Sequence, residues 1–310
     1  MAAHRLSVLL VVLIFGLLLL GGIVHNTGSS LACPDWPTCY GTLMPEMKGG
    51  VAIEHSHRLF AATVGLLTIV LAMVLLRQKD RALRRMGLWA VFLVVFQGVL
   101  GGVTVLLRLP TLVSTAHLGT SFLFFALMIM RAWRTSPPPL SHHGGEGPGV
   151  RGRGWVNTVA VLVYLQSLLG ALVRHTQSGL VCPDFPFCFG HAWPFGMHPM
   201  FQLHMAHRWM GVVVALCVFS LPFGLKEQAR ISSAVRWLSC MAPVLVLIQI
   251  ALGAASILSH LGIVPVTAHL AMGALLWGCL VSLVVLTSPP APLLSRERVA
   301  EGRVRSEVSA

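Results

Sequence analysis

The sequence predicts an all-α integral membrane protein whose eight transmembrane helices form two four-helix bundles related by a pseudo-twofold axis. Three observations carry this prediction: the composition, eight continuous apolar runs and an internal repeat. Of the 310 residues, 55% are hydrophobic and 10% are charged, and the mean hydropathy is +0.79. A soluble globule of this size would need more polar surface, so a membrane protein is expected.

Each apolar run is long enough to cross a bilayer as a helix, which takes roughly 20 residues. The runs are continuous rather than alternating, which favours helices over barrel strands. The first is interpreted as a retained span rather than a signal peptide, because the segment that follows it is repeated mid-chain, ending at Cys182. The runs comprise residues 6–24, 57–76, 86–107, 112–130, 155–173, 205–225, 235–258 and 266–287.

The formal net charge of +12 reports topology rather than nucleic-acid binding. The basic residues cluster in residues 77–85, 131–153, 226–236 and 296–305, all on one side of the eight spans. The opposite side holds Lys48 and, at its border, Arg108 and Arg174. By the positive-inside rule both termini are cytoplasmic. The expected partner is therefore the lipid bilayer rather than nucleic acid.

A repeat of about 150 residues organises the chain. Residues 20–41 match residues 169–190, the pair His57-Arg58 matches His207-Arg208, and the tetrapeptide Thr-Ala-His-Leu occurs at residues 115–118 and 267–270. Since each half has an even number of spans, both halves insert with the same orientation about a pseudo-twofold axis along the membrane normal.

The repeat defines four regions. The halves are residues 1–134 and 155–287, joined by a flexible cytoplasmic linker at residues 135–154 and followed by a disordered cytoplasmic tail at residues 288–310. The linker is rich in Pro, Gly, Ser and His, and its histidines are interpreted as part of a disordered segment rather than as metal ligands.

Four histidines lie near the outer ends of alternate spans: His57, His117, His207 and His269. Two imidazoles from facing helices of a four-helix bundle are the usual way in which such a bundle holds haem iron axially. Zinc or copper would also accept two imidazoles, but each would need further ligands, and only one half offers an adjacent carboxylate.

That carboxylate is Glu54, three residues before His57, where the second half has His204. Beside a bound haem it could move protons or stabilise a developing cation, and the alternative is an acid at a helix N-terminus, favoured by the helix dipole. Arg58 and Arg208 could pair with haem propionates or extend to the lipid headgroups.

Two cysteine pairs lie in outer loops, Cys33 with Cys39 and Cys182 with Cys188. In an oxidising compartment this spacing allows a disulfide-closed loop in each half. The bridges are either structural or redox-active with thiol carriers.

The chain resembles the haem A synthase family in the order of its motifs on eight spans. These motifs are Cys33-Pro34-Asp35-Trp36-Pro37-x-Cys39, Glu54-x-x-His57-Arg58, His207-Arg208 and the two Thr-Ala-His-Leu segments. The resemblance covers residues 6–287. It implies oxidation of the C8 methyl group of haem O to a formyl group by successive O2-dependent hydroxylations, for assembly of haem–copper oxidases. This chain departs from some relatives by carrying the cysteine loop in both halves.

The resemblance also implies that His207 and His269 keep a haem b, while the substrate haem O lies near His57 and His117 with Glu54 close by. Because six-coordinate iron cannot bind O2, either one of these histidines leaves the iron or O2 is activated elsewhere. An unidentified electron donor is expected, with haem O synthase and oxidase assembly factors as candidate partners, in the bacterial inner membrane.

Three rival hypotheses belong to other classes. A di-haem b electron carrier would use the paired histidines without changing its haems. A membrane thiol oxidoreductase would use the outer cysteines and leave the patterned histidines unexplained. A transporter with parallel repeats would be colourless when purified.

Overall fold

The computed structural model describes residues 2–135 and 152–288. The predicted linker and tail lie outside the described residues except at their edges, residues 135, 152–154 and 288. The described helices are α1 (Ala2–Asn26), α2 (Gly49–Leu76), α3 (Arg81–Leu106), α4 (Thr111–Thr135), α5 (Arg153–His175), α6 (Pro199–Phe219), α7 (Leu221–Gly224), α8 (Lys226–Ile231), α9 (Ser233–Leu258) and α10 (Ile263–Leu286).

The eight predicted spans are confirmed, and seven of the runs each lie within a single helix, with at most one residue beyond its end. The sixth run is divided between α6 and α7, which meet at Ser220. Pro222 lies in the first turn of α7 and has no amide hydrogen to continue the α6 ladder. The Ser220 hydroxyl instead donates to the Cys217 carbonyl at 2.7 Å.

Side chains cap the first turns of α3 and α9. Asp80 precedes α3, and its carboxylate accepts a hydrogen bond from the Ala82 amide at 2.7 Å. Ser232 precedes α9, and its hydroxyl accepts from the Val235 amide at 3.3 Å. Such caps satisfy amide groups that have no partner inside the helix, so they set where each span begins.

Each half is a closed four-helix bundle. In the first half, α2 and α4 each pack against both α1 and α3; in the second, α6 and α10 each pack against both α5 and α9. The halves meet where α4 packs on α5 and α10, and where α1 packs on α10. The spans α4 and α10 are therefore the most buried of the eight.

Small residues let the two halves approach closely. A Cβ atom on Gly22 of α1 would lie 2.6 Å from Cδ2 of Leu270 on α10, and one on Gly119 of α4 would lie 2.6 Å from Cδ2 of Leu168 on α5. Glycine at a helix contact allows this distance. Deeper between the halves, the Trp277 indole donates to the Phe122 carbonyl at 2.9 Å.

Candidate functional site

A cavity of about 870 Å³ runs between the helices and is lined by residues of both halves. Its volume lies at the upper end of the range of cofactor and ligand pockets, roughly 300–1,000 Å³. All four predicted histidines line it, as do Glu54, Arg58 and Arg208. The structure therefore brings the sequence-predicted residues of both halves to one continuous space.

Each of the four histidines lies against a glycine of the preceding span. A Cβ atom at that glycine would contact Cε1 of the imidazole, at 3.2 Å for Gly21 and His57, 3.3 Å for Gly101 and His117, 2.9 Å for Gly170 and His207, and 3.1 Å for Gly253 and His269. The glycines make room for the rings. Their signal in the sequence is a Leu-Gly dipeptide in four spans.

Glutamine side chains fix both imidazoles of the second half. The Gln166 amide nitrogen lies 3.1 Å from Nδ1 of His207 and donates to the His207 carbonyl at 2.8 Å. Nδ1–H of His269 donates to the backbone carbonyl of Gln249 at 3.0 Å, and the Gln249 side-chain amide lies 3.3 Å from Nε2. A carbonyl partner on Nδ1 makes Nε2 the basic nitrogen of His269, which is the nitrogen that a metal would use once it displaced the Gln249 amide.

The imidazoles of the first half have no such partners. Gln97 stands four residues before Gly101, as Gln166 and Gln249 stand before their glycines, but its amide donates to the His117 carbonyl at 2.9 Å and to Ser121. The equivalent position before Gly21 is Leu17. Among the described residues, Nδ1 of His57 and Nδ1 of His117 are buried without a hydrogen-bond partner.

Glu54 is 3% exposed and is held at both oxygens. Oε1 accepts a hydrogen bond from Nη2 of Arg58 at 2.6 Å, and Oε2 accepts from the Cys33 amide at 2.8 Å. Because α2 begins at Gly49, Glu54 lies beyond its first turn and shares a face with His57, as the spacing predicts. In the second half, His204 replaces the acid, with Nε2 3.4 Å from Nη2 of Arg208.

Arg58 and Arg208 bind the cysteine loops. Nη1 of Arg58 donates to the carbonyls of Asp35 at 2.7 Å and Thr38 at 2.6 Å. Arg208 donates to four loop carbonyls, those of Asp184, Pro186, Phe187 and Cys182. Nη1 and Nη2 of both arginines therefore have hydrogen-bond acceptors within the protein, without a haem propionate or a lipid headgroup.

The loops are closed by the two predicted disulfides, Cys33–Cys39 and Cys182–Cys188. All four cysteines are 0% exposed, which favours the structural role over exchange with thiol carriers. The loops also cover the cavity, because Trp36 and Phe185 line it. Cys33, Cys39 and His55 have the spacing of a possible metal site, since their three ligand atoms lie within 4.8 Å of one another. The two sulfur atoms are bonded to each other, however, and so are not available to a metal.

Hydrogen bonds within the first loop lower the pKa of Asp35 to about 2. The Thr38 hydroxyl makes the largest contribution, and the amides of Gly41 and Tyr40 add to it. The carboxylate therefore organises the loop as an anion at neutral pH.

Comparisons with known proteins give the family of the chain. A model of the cytochrome oxidase assembly protein family (COX15-CtaA) matches residues 4–281. The chain is 32% identical to the Heme A synthase of Symbiobacterium thermophilum over 294 residues, which covers 90% of this chain and 92% of the relative. It is 30% identical to the Heme A synthases of Lysinibacillus sphaericus, with 88% and 91% covered, and Shouchella clausii, with 83% and 87% covered.

Proposed function

The chain belongs to the cytochrome oxidase assembly protein family that contains the haem A synthases, and we propose that it is a haem A synthase of the bacterial membrane. It is an oxidoreductase that converts haem O to haem A. In the finer proposal, the C8 methyl group of haem O becomes a formyl group through two hydroxylations. Each consumes one O2, two electrons and two protons and releases one water, and the second gives a hydrated aldehyde that loses water.

The observation that carries the division of labour is that two matching histidine pairs have different surroundings. The Gln166 amide orients the ring of His207, and the backbone carbonyl of Gln249 holds Nδ1–H of His269. A carbonyl partner on Nδ1 fixes the orientation of a ligating imidazole and strengthens metal binding at Nε2. This supports a permanent haem b in the second half, which would supply one-electron redox chemistry when bound.

The first half has the properties expected of a substrate site. No hydrogen bond from a described residue holds the rings of His57 and His117, which suits a site where a substrate haem enters and leaves. Glu54 is the one acid among the described residues that line the cavity. It would place a negative charge, or accept a proton, near the substrate methyl group. O2, the electron donor, haem O synthase and the oxidase assembly factors stay predicted partners.

The test uses Glu54→Gln, which keeps the size of the side chain and an oxygen acceptor but removes the charge. The full-length protein is expressed with a haem O synthase, and the extracted haems are identified by mass. We expect wild type to yield hydroxylated haem O and haem A, and Glu54→Gln to lose most of both while it retains haem b. The matched control is Glu46→Gln, at an exposed carboxylate paired with Lys48.

Two results would contradict the proposal. Unchanged haem O with only haem b in the wild type would favour the di-haem electron carrier. Full conversion by Glu54→Gln would remove Glu54 from the chemistry.

A further inference from the structure

Arg174 ends α5 at the wall of the cavity, where the two halves meet. Its Nη2 donates to Oδ1 of Asn26 on α1 at 2.7 Å and lies 3.5 Å from the His25 carbonyl. No described residue accepts a hydrogen bond from Nη1, and Nε is buried without a partner. The guanidinium therefore has donors left over beside the cavity.

No described carboxylate neutralises this cation. The ion pairs of the described residues are Lys48–Glu46, Arg58–Glu54 and Arg230–Glu227. Glu54, the acid in the cavity wall, already accepts from Arg58 and from the Cys33 amide. A cation between membrane helices is costly without an anion, so the position indicates an anionic ligand.

The surroundings of Arg174 belong to both halves. The alignment of Gly21 with Gly170 and of Cys33 with Cys182 pairs Arg174 with His25, and His175 with Asn26. The contact between Arg174 and Asn26 thus has a pseudo-symmetric counterpart, the edge-to-face contact of His25 and His175 at 4.9 Å. These four residues form a cluster where α1 and α5 end, beside the pseudo-twofold axis.

Hydrogen bonds connect the cluster to the helices that carry the iron-ligand candidates. Nδ2 of Asn26 donates to Thr267 at 3.0 Å, two residues before His269 on α10. The Thr111 hydroxyl at the start of α4 donates to the His175 carbonyl at 3.2 Å. An anion bound here would therefore lie within the same cavity as both histidine pairs.

We propose that Arg174, with the imidazoles of His25 and His175 beside it, binds a propionate carboxylate of a haem in the cavity. This inference rests on the proposed function. A haem carries two propionates, and a guanidinium with free donors matches a carboxylate in charge and shape. Arg58 and Arg208, for which the sequence leaves propionates and lipid headgroups as alternative partners, already bind loop carbonyls.

The experiment compares haem b with its dimethyl ester, in which both carboxylates are neutralised. Full-length protein in lipid nanodiscs is stripped of haem and titrated with each compound, and binding is followed by the Soret band. The wild type is expected to bind the free acid about 10- to 100-fold more tightly, the range for a charge-assisted hydrogen bond. Arg174→Gln should lose this preference, and Arg174→Lys should retain most of it.

Arg108→Gln is the matched control, since Arg108 is an exposed arginine at the same membrane border outside the cavity lining. A wild type that binds acid and ester equally would overturn the role of Arg174, whatever the variants do. So would an Arg174→Gln protein that keeps the preference. A wild type that binds neither compound would overturn the proposed function and this inference together.

Discussion

Replacement of Gly170 by Ala tests whether the glycines set the positions of the histidines. The new methyl group would lie 2.9 Å from Cε1 of His207, whereas ordinary contact begins at 3.4 Å, so the ring must retreat by about 0.5 Å. Distances in a metal site are held to within about 0.2 Å. The shift also disturbs the hydrogen bond from Gln166 to Nδ1. We expect haem b affinity to fall about 10- to 100-fold, or roughly 1.4 to 2.8 kcal/mol.

The assay is haem b per purified protein, with the affinity from titration of the stripped protein. Gly98→Ala is the control, because a Cβ atom at this glycine, also in the cavity wall, would meet nothing within 4 Å. In Gly21→Ala the new methyl group would lie 3.2 Å from Cε1 of His57, so this variant should retain haem b and convert less haem O. A Gly170→Ala protein with wild-type haem b affinity and spectrum would refute this role of the glycine.

Two further predictions concern the ring partners and the loops. Gln166→Leu should lower haem b affinity about 10- to 100-fold, because it removes the amide that orients the ring of His207 at Nδ1. Gln97→Leu loses contacts to a carbonyl and a hydroxyl instead, so it should leave haem b bound. Equal losses of haem b in the two variants would contradict the placement of haem b in the second half. Asp35→Ala should speed phosphine reduction of Cys33–Cys39 at neutral pH, with Cys182–Cys188 in the same chain as the internal control, since a disulfide at 0% exposure reacts only when its loop opens. Hydrogen bonding lowers the pKa of Asp35 from 3.8 to about 2, so its contribution to the stability of the loop is present above about pH 4 and is lost as the pH falls towards 2. Reduction of Cys33–Cys39 in the wild type should therefore also accelerate between about pH 4 and pH 2. A reduction rate independent of pH and of Asp35 would refute this role.

Several features could be predicted from the chain because their determinants are local or repeated. The apolar runs fix the eight spans, and the spacing of three residues places Glu54 and His57 on one helical face. The repeat shows that His57 corresponds to His207 and that Glu54 has no acidic counterpart. The cysteine pairs are six residues apart, so their pairing needs no knowledge of the tertiary fold.

Other features depend on residues that are distant in sequence. The loop carbonyls that accept from the Arg58 guanidinium lie 20 to 25 positions earlier in the chain, and no periodicity in the sequence shows these contacts. The contact of each glycine with a histidine also joins neighbouring spans, and its distance is set by how the helices pack. The histidines are therefore recognisable in the sequence, whereas the residues that hold or accommodate them become recognisable only in the structure.

The sequence by itself determined the membrane class, the number of spans, the duplicated bundles and the four histidines, because hydropathy and repetition are properties of the linear chain. Only the tertiary structure decided that both halves share one cavity and that glutamines hold the rings in one half alone. It also decided how the arginines are used: Arg58 and Arg208 follow their histidines in sequence yet bind loop carbonyls, whereas Arg174, about 150 positions from Asn26, keeps free donors at the cavity wall. Hydrogen-bond partners are chosen by proximity in space, which helix packing alone creates.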